Sequence, residues 1–168
     1  MKKIICILLI GFLLCGCASD MSHEETNPDE RYYGMITLIK DCDTFQQESG
    51  YFDISAEMAA IDDGYRFYVV VDKPRIAMYD VNILCIENGV DYTKNMAANV
   101  GIFDEKKYNM IPNQINIDKG YVEGLVASGI STDKECELYV LVQWKSKDLS
   151  NIKREYFKLD VSFMEKYD

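Results

Sequence analysis

Cysteine, histidine and carboxylate side chains are the groups through which this chain could do chemistry, and their supply is uneven. Six cysteines stand at positions 6, 15, 17, 42, 85 and 136, with one histidine at 23, against 28 acidic residues. His23 lies in a polar stretch outside any apolar pattern, so the predicted domain holds no imidazole. That removes a histidine base from nucleophilic catalysis and the usual His-containing zinc sites. Ser128, in Ala127-Ser128-Gly129, lacks the glycine two residues earlier that a nucleophile elbow requires. No glycine-rich run precedes a Lys-Ser or Lys-Thr pair, so nucleotide binding has no motif. Asp41, Asp43, Asp62 and Asp63 offer hard oxygens, but a helix-loop-helix calcium spacing is absent, and Asp62-Asp63-Gly64 is explained by its turn. No metal is expected. A carboxylate pair acting as a hydrolase has no sequence spacing of its own, so that chemistry stays open as the least favoured reading.

Of the three cysteines beyond the N-terminal region, Cys42, Cys85 and Cys136, not all can pair with one another. Cys85 with Cys136 is the favoured disulfide because both fall in predicted strands; free buried thiols are the alternative. The twelve tyrosines fit strand propensity with rim hydroxyls, and among them Tyr32 and Tyr33 form the candidate binding surface.

The elements that must position these groups show a period of two. Phe52, Ile54, Ala56 and Met58 alternate with polar neighbours, and after the turn at Gly64, Tyr65, Phe67, Val69 and Val71 do the same, predicting a hairpin. A strand over residues 76–87 ends at Asn88-Gly89 and points Val81, Ile83 and Cys85 at the core. Residues 96–103 are read as a short strand, and 104–110 as one helical turn capped by Asp104. Strands are also expected over 114–118 and 120–128, with Val122 and Val126 on one face. The clearest strand is 136–145, whose alternation only Leu141 breaks, and Phe157, Leu159, Val161 and Phe163 alternate in the last. This pattern predicts an all-β, antiparallel β-sandwich, immunoglobulin-like or related, over 32–168, with a small β-barrel as the alternative. Trp144 follows Cys136 instead of lying between paired cysteines, so any immunoglobulin likeness is architectural only.

The N-terminus supplies the other anchor of the reading. Met1-Lys2-Lys3 is followed by an eleven-residue apolar run from Ile4 to Leu14. That is too short for a bilayer, which needs roughly 20 residues, and suits a cleaved export signal. With Leu14-Cys15-Gly16-Cys17 behind it, the segment resembles a bacterial lipoprotein signal peptide ending in a lipobox. The resemblance implies removal of residues 1–16 and a diacylglyceryl group on the Cys17 sulfur, the one covalent cofactor expected. Two acyl chains make such an anchor stable, at about 0.8 kcal/mol per buried methylene. Residues 17–31 are polar and acidic and are expected to tether lipid to domain.

A formal charge of −10 repels phosphate, which excludes nucleic acid and flat adsorption onto anionic lipid. The expected protein is therefore a lipid-anchored lipoprotein of the cell envelope, on the extracytoplasmic face of a bacterial membrane. It acts as a non-catalytic interaction module for a protein or cell-wall partner. The alternatives are an accessory small-ligand-binding lipoprotein and, below it, a carboxylate-dependent cell-wall hydrolase.

Overall fold

The computed structural model describes residues 27–92 and 95–165. Among these residues seven strands form two antiparallel sheets. The first holds β1 (Asp53–Ile61), β2 (Gly64–Asp72) and β5 (Gly124–Ser131) in the order β1-β2-β5. The second holds β3 (Tyr79–Glu87), β4 (Ala98–Val100), β6 (Glu135–Lys145) and β7 (Ile152–Ser162) in the order β4-β3-β6-β7. The sheets pack face to face as a sandwich and do not close into a barrel. Strand alternation explains the choice: Phe67, Val69 and Val71 of β2 face Val81, Ile83 and Cys85 of β3 and Leu138, Val140 and Val142 of β6 across one core. Phe52, Trp144 and Phe157 fill one region of it, with ring centroids 5.8 Å apart for Phe52–Trp144 and 5.7 Å for Phe52–Phe157.

The β1–β2 hairpin turns at Gly64, whose φ of +126° suits glycine, with Asp53 opposite Asp72. Gly129 has a different reason. It sits opposite Phe67, and an added Cβ would come within 2.3 Å of the Phe67 ring, which is buried. Gly129→Val should therefore cost about 1–3 kcal/mol by overpacking, read as a lower urea midpoint at unchanged slope. An unchanged midpoint would mean the ring does not lie over residue 129.

The polar N-terminal stretch does not run on as a tether to residue 31. Pro28–Lys40 form an α-helix, α1, capped by the Asn27 side chain, which accepts from the Asp29 amide at 3.1 Å. Pro28 opens the helix, Asp29 and Glu30 meet its positive end, and Lys40 its negative end. Its apolar stripe, Tyr32, Met35, Ile36 and Ile39, packs on Leu84, Ile86 and Leu141, which point away from the inter-sheet core. Beneath α1 the four-stranded sheet is thus covered on both faces, and β3 is buried without a break from Val81 to Glu87. Residues 28–31, expected in the tether, therefore belong to α1.

The loop regions also differ from expectation. Residues 104–110 form no helical turn; the Asp104 carboxylate instead accepts from the Gly101 amide at 2.6 Å, where φ is +85°. The predicted strand over 114–118 is a loop leading into a short 3-10 turn, Ile117–Lys119. β5 starts only at Gly124, and Val122 packs against the core while Val126 is exposed.

Candidate functional site: a groove beside helix α1

Helix α1 covers only part of the outer sheet face. Beyond its footprint the register sets side chains in rows: Asn82, Gln143 and Arg154 lie abreast on β3, β6 and β7, and Lys145 stands opposite Ile152. Glu30, Arg31, Gly34, Met35 and Leu38 of the helix form the facing wall. Between them runs a groove of about 470 Å³, reached also by Asp80, Lys107 and Leu149. Its size falls in the range of ligand sites, roughly 300–1,000 Å³.

Polar bonds fix the floor. The Arg31 guanidinium donates to Asn82 Oδ1 at 3.1 Å, and the buried Asn82 amide donates to the Asp80 carbonyl at 2.6 Å. Lys145 pairs with Asp80 at 2.6 Å, and Arg154 Nε donates to Gln143 Oε1 at 2.8 Å. A register shift between Tyr79 and Asn82, with φ of +49° at Asp80, bends β3 at this point. Bulges of this kind re-aim side chains next to binding sites. Among the described residues the groove is lined by four cations, Arg31, Lys107, Lys145 and Arg154, and two carboxylates, Glu30 and Asp80. In a chain where acids outnumber bases 28 to 18, that is a local reversal of sign.

The groove's apolar part lies at its rim. Leu149 and Ile152 are 53% and 47% exposed, an unusual state for two branched aliphatics beside a concave wall. The tip that carries Leu149 is held by Asp148, which accepts from the Ser146 hydroxyl and the Ser150 amide. Those bonds push its carboxyl down to about 2. A second concavity of about 320 Å³ lies past the other end of α1, among Cys42, Phe45, Ile86 and Tyr139, and is smaller and more open.

The residues singled out from sequence are scattered. Tyr32 is buried at 3% exposure under Phe103, and its hydroxyl oxygen accepts from the Ala97 amide at 2.6 Å, so it is a docking residue of α1. Of the expected Tyr32–Tyr33 surface only Tyr33 is exposed, at 58%. Cys85 and Cys136 are free thiols. Cys85 sits opposite Val140, four residues from Cys136 along β6, an offset of roughly 13 Å at 3.3 Å per residue, whereas a disulfide needs Cα atoms within about 7 Å. The expected Cys85–Cys136 bond is corrected on that ground. Cys17 with the lipid expected on it, the expected signal over residues 1–16 and residues 17–26 lie outside the described residues.

Burial pushes the Cys85 thiol well above its ordinary value, and burial with Glu87 nearby pushes Cys136 up to about 11. Cys42 is half-buried, with its thiol donating to the Thr44 carbonyl at 3.1 Å. Thiolates are the reacting species, so in native protein at pH 8 an aromatic disulfide reagent should label Cys42 first, Cys136 much more slowly and Cys85 only after unfolding. Peptide mass mapping checks the order, and early labelling of Cys85 would contradict the buried β3.

Among the described residues no group of three or more His, Cys, Asp or Glu side chains is placed to hold a metal ion, and no helix is long and apolar enough to cross a membrane. The groove itself was not visible in the sequence, because its residues come from α1, β3, β6, β7 and two loops. The Asn27-Pro28-Asp29-Glu30 start signal and the spacing of Tyr32, Met35, Ile36 and Ile39 could have revealed its helical wall.

Fold and groove together define the class: an antiparallel β-sandwich with one helix docked on the outer face of its four-stranded sheet. Compared with protein-family models, with curated proteins and with solved structures, the chain matches none.

Proposed function

We propose that the chain is a lipid-anchored, non-catalytic interaction module of the bacterial cell envelope, and that the groove beside α1 is its recognition face. Diacylglyceryl on Cys17 pins it to the extracytoplasmic face of the membrane, and a protein or cell-wall partner is captured there at raised local concentration. One observation carries the reading: a cation-lined groove with exposed aliphatics at its rim, on the surface of an otherwise acidic chain. The strand orders β1-β2-β5 and β4-β3-β6-β7 support an immunoglobulin-like relative, since in that lettering they read A-B-E and C′-C-F-G. Sandwiches of this kind commonly serve at cell surfaces.

The anchor is tested by phase partitioning and intact mass. Wild type should enter the detergent phase carrying the mass of a diacylglyceryl group, and Cys17→Ser should stay aqueous; an unmodified wild-type chain overturns the anchor. The recognition face is tested in cells with a photo-crosslinking residue placed at Leu149, in the groove rim, or at Ser55, on the opposite outer face. Adducts should form from position 149 and not from 55. Equal labelling at both positions, or none at 149, overturns the groove as the binding face.

A further inference from the structure

The groove's lining narrows the chemistry of what it holds. We infer that its occupant is an extended acidic segment of a partner protein, bound through carboxylates at Arg31 and Arg154 and through an apolar side chain against Leu38, Leu149 and Ile152. This inference rests on reading the groove as the recognition face.

Three observations carry it. Charge comes first: among the described residues four cations line the groove against two carboxylates, and Asp80, one of the two, is engaged by Lys145. Geometry comes second. Arg31 is bonded to Asn82 and Arg154 to Gln143, and Asn82, Gln143 and Arg154 sit abreast on β3, β6 and β7. Strands lie about 4.8 Å apart, so the two guanidiniums are held at neighbouring strands of one polar row, a spacing that carboxylates at i and i+2 of an extended chain, which share a face about 7 Å apart, can meet. Guanidinium forks suit carboxylates, and Gln143, whose amide oxygen accepts from Arg154, presents its NH2 beside them, while Asn82 is engaged at both ends and fixes Arg31. The third is the exposed aliphatic rim at Leu149 and Ile152. A polymer of phosphates would leave those side chains wet, whereas a peptide can cover them.

Gly34 supplies the means of testing this without disturbing the fold. It lies in the helical wall, and an added Cβ there would meet nothing within 4 Å. Gly34→Trp should fill the groove while keeping the melting temperature at or above that of wild type, since glycine is a poor helix residue.

The experiment pans phage-displayed random nonapeptides on the full lipidated chain in nanodiscs of zwitterionic lipid, in parallel with Gly34→Trp and with the double variant R31E/R154E. Enriched peptides should pair two or more Asp or Glu residues with an apolar residue. Their affinity should fall at least about 100-fold in R31E/R154E, which removes two charge-assisted hydrogen bonds and sets like charges in their place, and it should weaken with added salt. Gly34→Trp should abolish binding, and R31K/R154K should bind at an intermediate level.

Enrichment of neutral or basic peptides, or acidic peptides that bind R31E/R154E equally well, overturns the acidic occupant. If crosslinking from position 149 still captures a partner in that case, the recognition face stands and only its chemistry is wrong. A polyphosphate probe that binds as tightly as the best peptide would assign the groove to a wall phosphate polymer instead. A synthetic peptide of residues 18–26, which contains Asp20, Glu24 and Glu25, is the remaining arm. Tight binding of that peptide, with stronger nonapeptide binding after deletion of residues 18–26, would make the chain's own tether the occupant and overturn the partner.

Discussion

Phe157→Ala is expected to remove about 3–5 kcal/mol of stability, enough to leave many domains of this size on the edge of unfolding. Phe157 is fully buried on β7, where its ring meets Phe52, and Phe52 in turn packs edge-on against Trp144. Truncation opens a cavity at a junction of both sheets, and the surrounding strands are held by hydrogen bonds that prevent collapse. The register pairs Phe157 with Val140, while Gln46 bridges β7 on its other side, its amide bonded to Tyr156 and its carbonyl to Lys158. The cavity wall therefore cannot close by a simple strand shift, which places the cost toward the upper half of the range. The melting temperature should fall by roughly 10–15 °C. Phe103→Ala is the contrast, because its ring is 39% exposed; it should cost about 1 kcal/mol or less. Equal effects of the two substitutions would show that the core does not centre on the Phe52–Phe157 contact.

The sheets were legible because a half-buried strand writes its faces into alternate residues. β1, β2, β6 and β7 each carry that code, and Gly64 and Asn88-Gly89 mark the turns where the expected register places them. The helix was missed for the opposite reason. Its first turn is built from Asn27, Pro28, Asp29 and Glu30, residues that are as polar as any tether, and only capping chemistry separates the two states. The apolar stripe then falls on Tyr32, Met35, Ile36 and Ile39, few enough to resemble the approach to a strand. Two irregularities did record the helix. Leu141 interrupts the alternation of β6, and residues 83–86 of β3 are apolar without a break, because both faces of that sheet are covered. The groove had no such trace, since a row like Asn82-Gln143-Arg154 exists only once three strands pair in register. A disulfide was likewise undecidable without register: strand membership of Cys85 and Cys136 says nothing about their four-residue offset.

Leu141→Asp should be the most damaging single change on the outer face, and it tests the helix and the groove together. Leu141 is fully buried between Leu84 and Tyr156 on the sheet and beneath α1. The new carboxyl would meet no cation directly across the strands, where its neighbours are that leucine and that tyrosine. Lost apolar burial and a desolvated polar group add, and the cost should reach about 4 kcal/mol or more. The molecule has a cheaper response than global unfolding, which is to release α1 and let water reach residue 141. Amide exchange would then accelerate first in residues 31–40, while β2 and the inner-facing positions of β6 keep their protection. Because Arg31, Gly34 and Leu38 form one wall of the groove, binding at the groove should be lost at temperatures where the two sheets remain folded. Loss of protection in β2 and α1 together would instead show that helix and sandwich unfold as one unit. Wild-type stability with intact helix protection would refute the docked position of α1, and with it the groove that the helix defines.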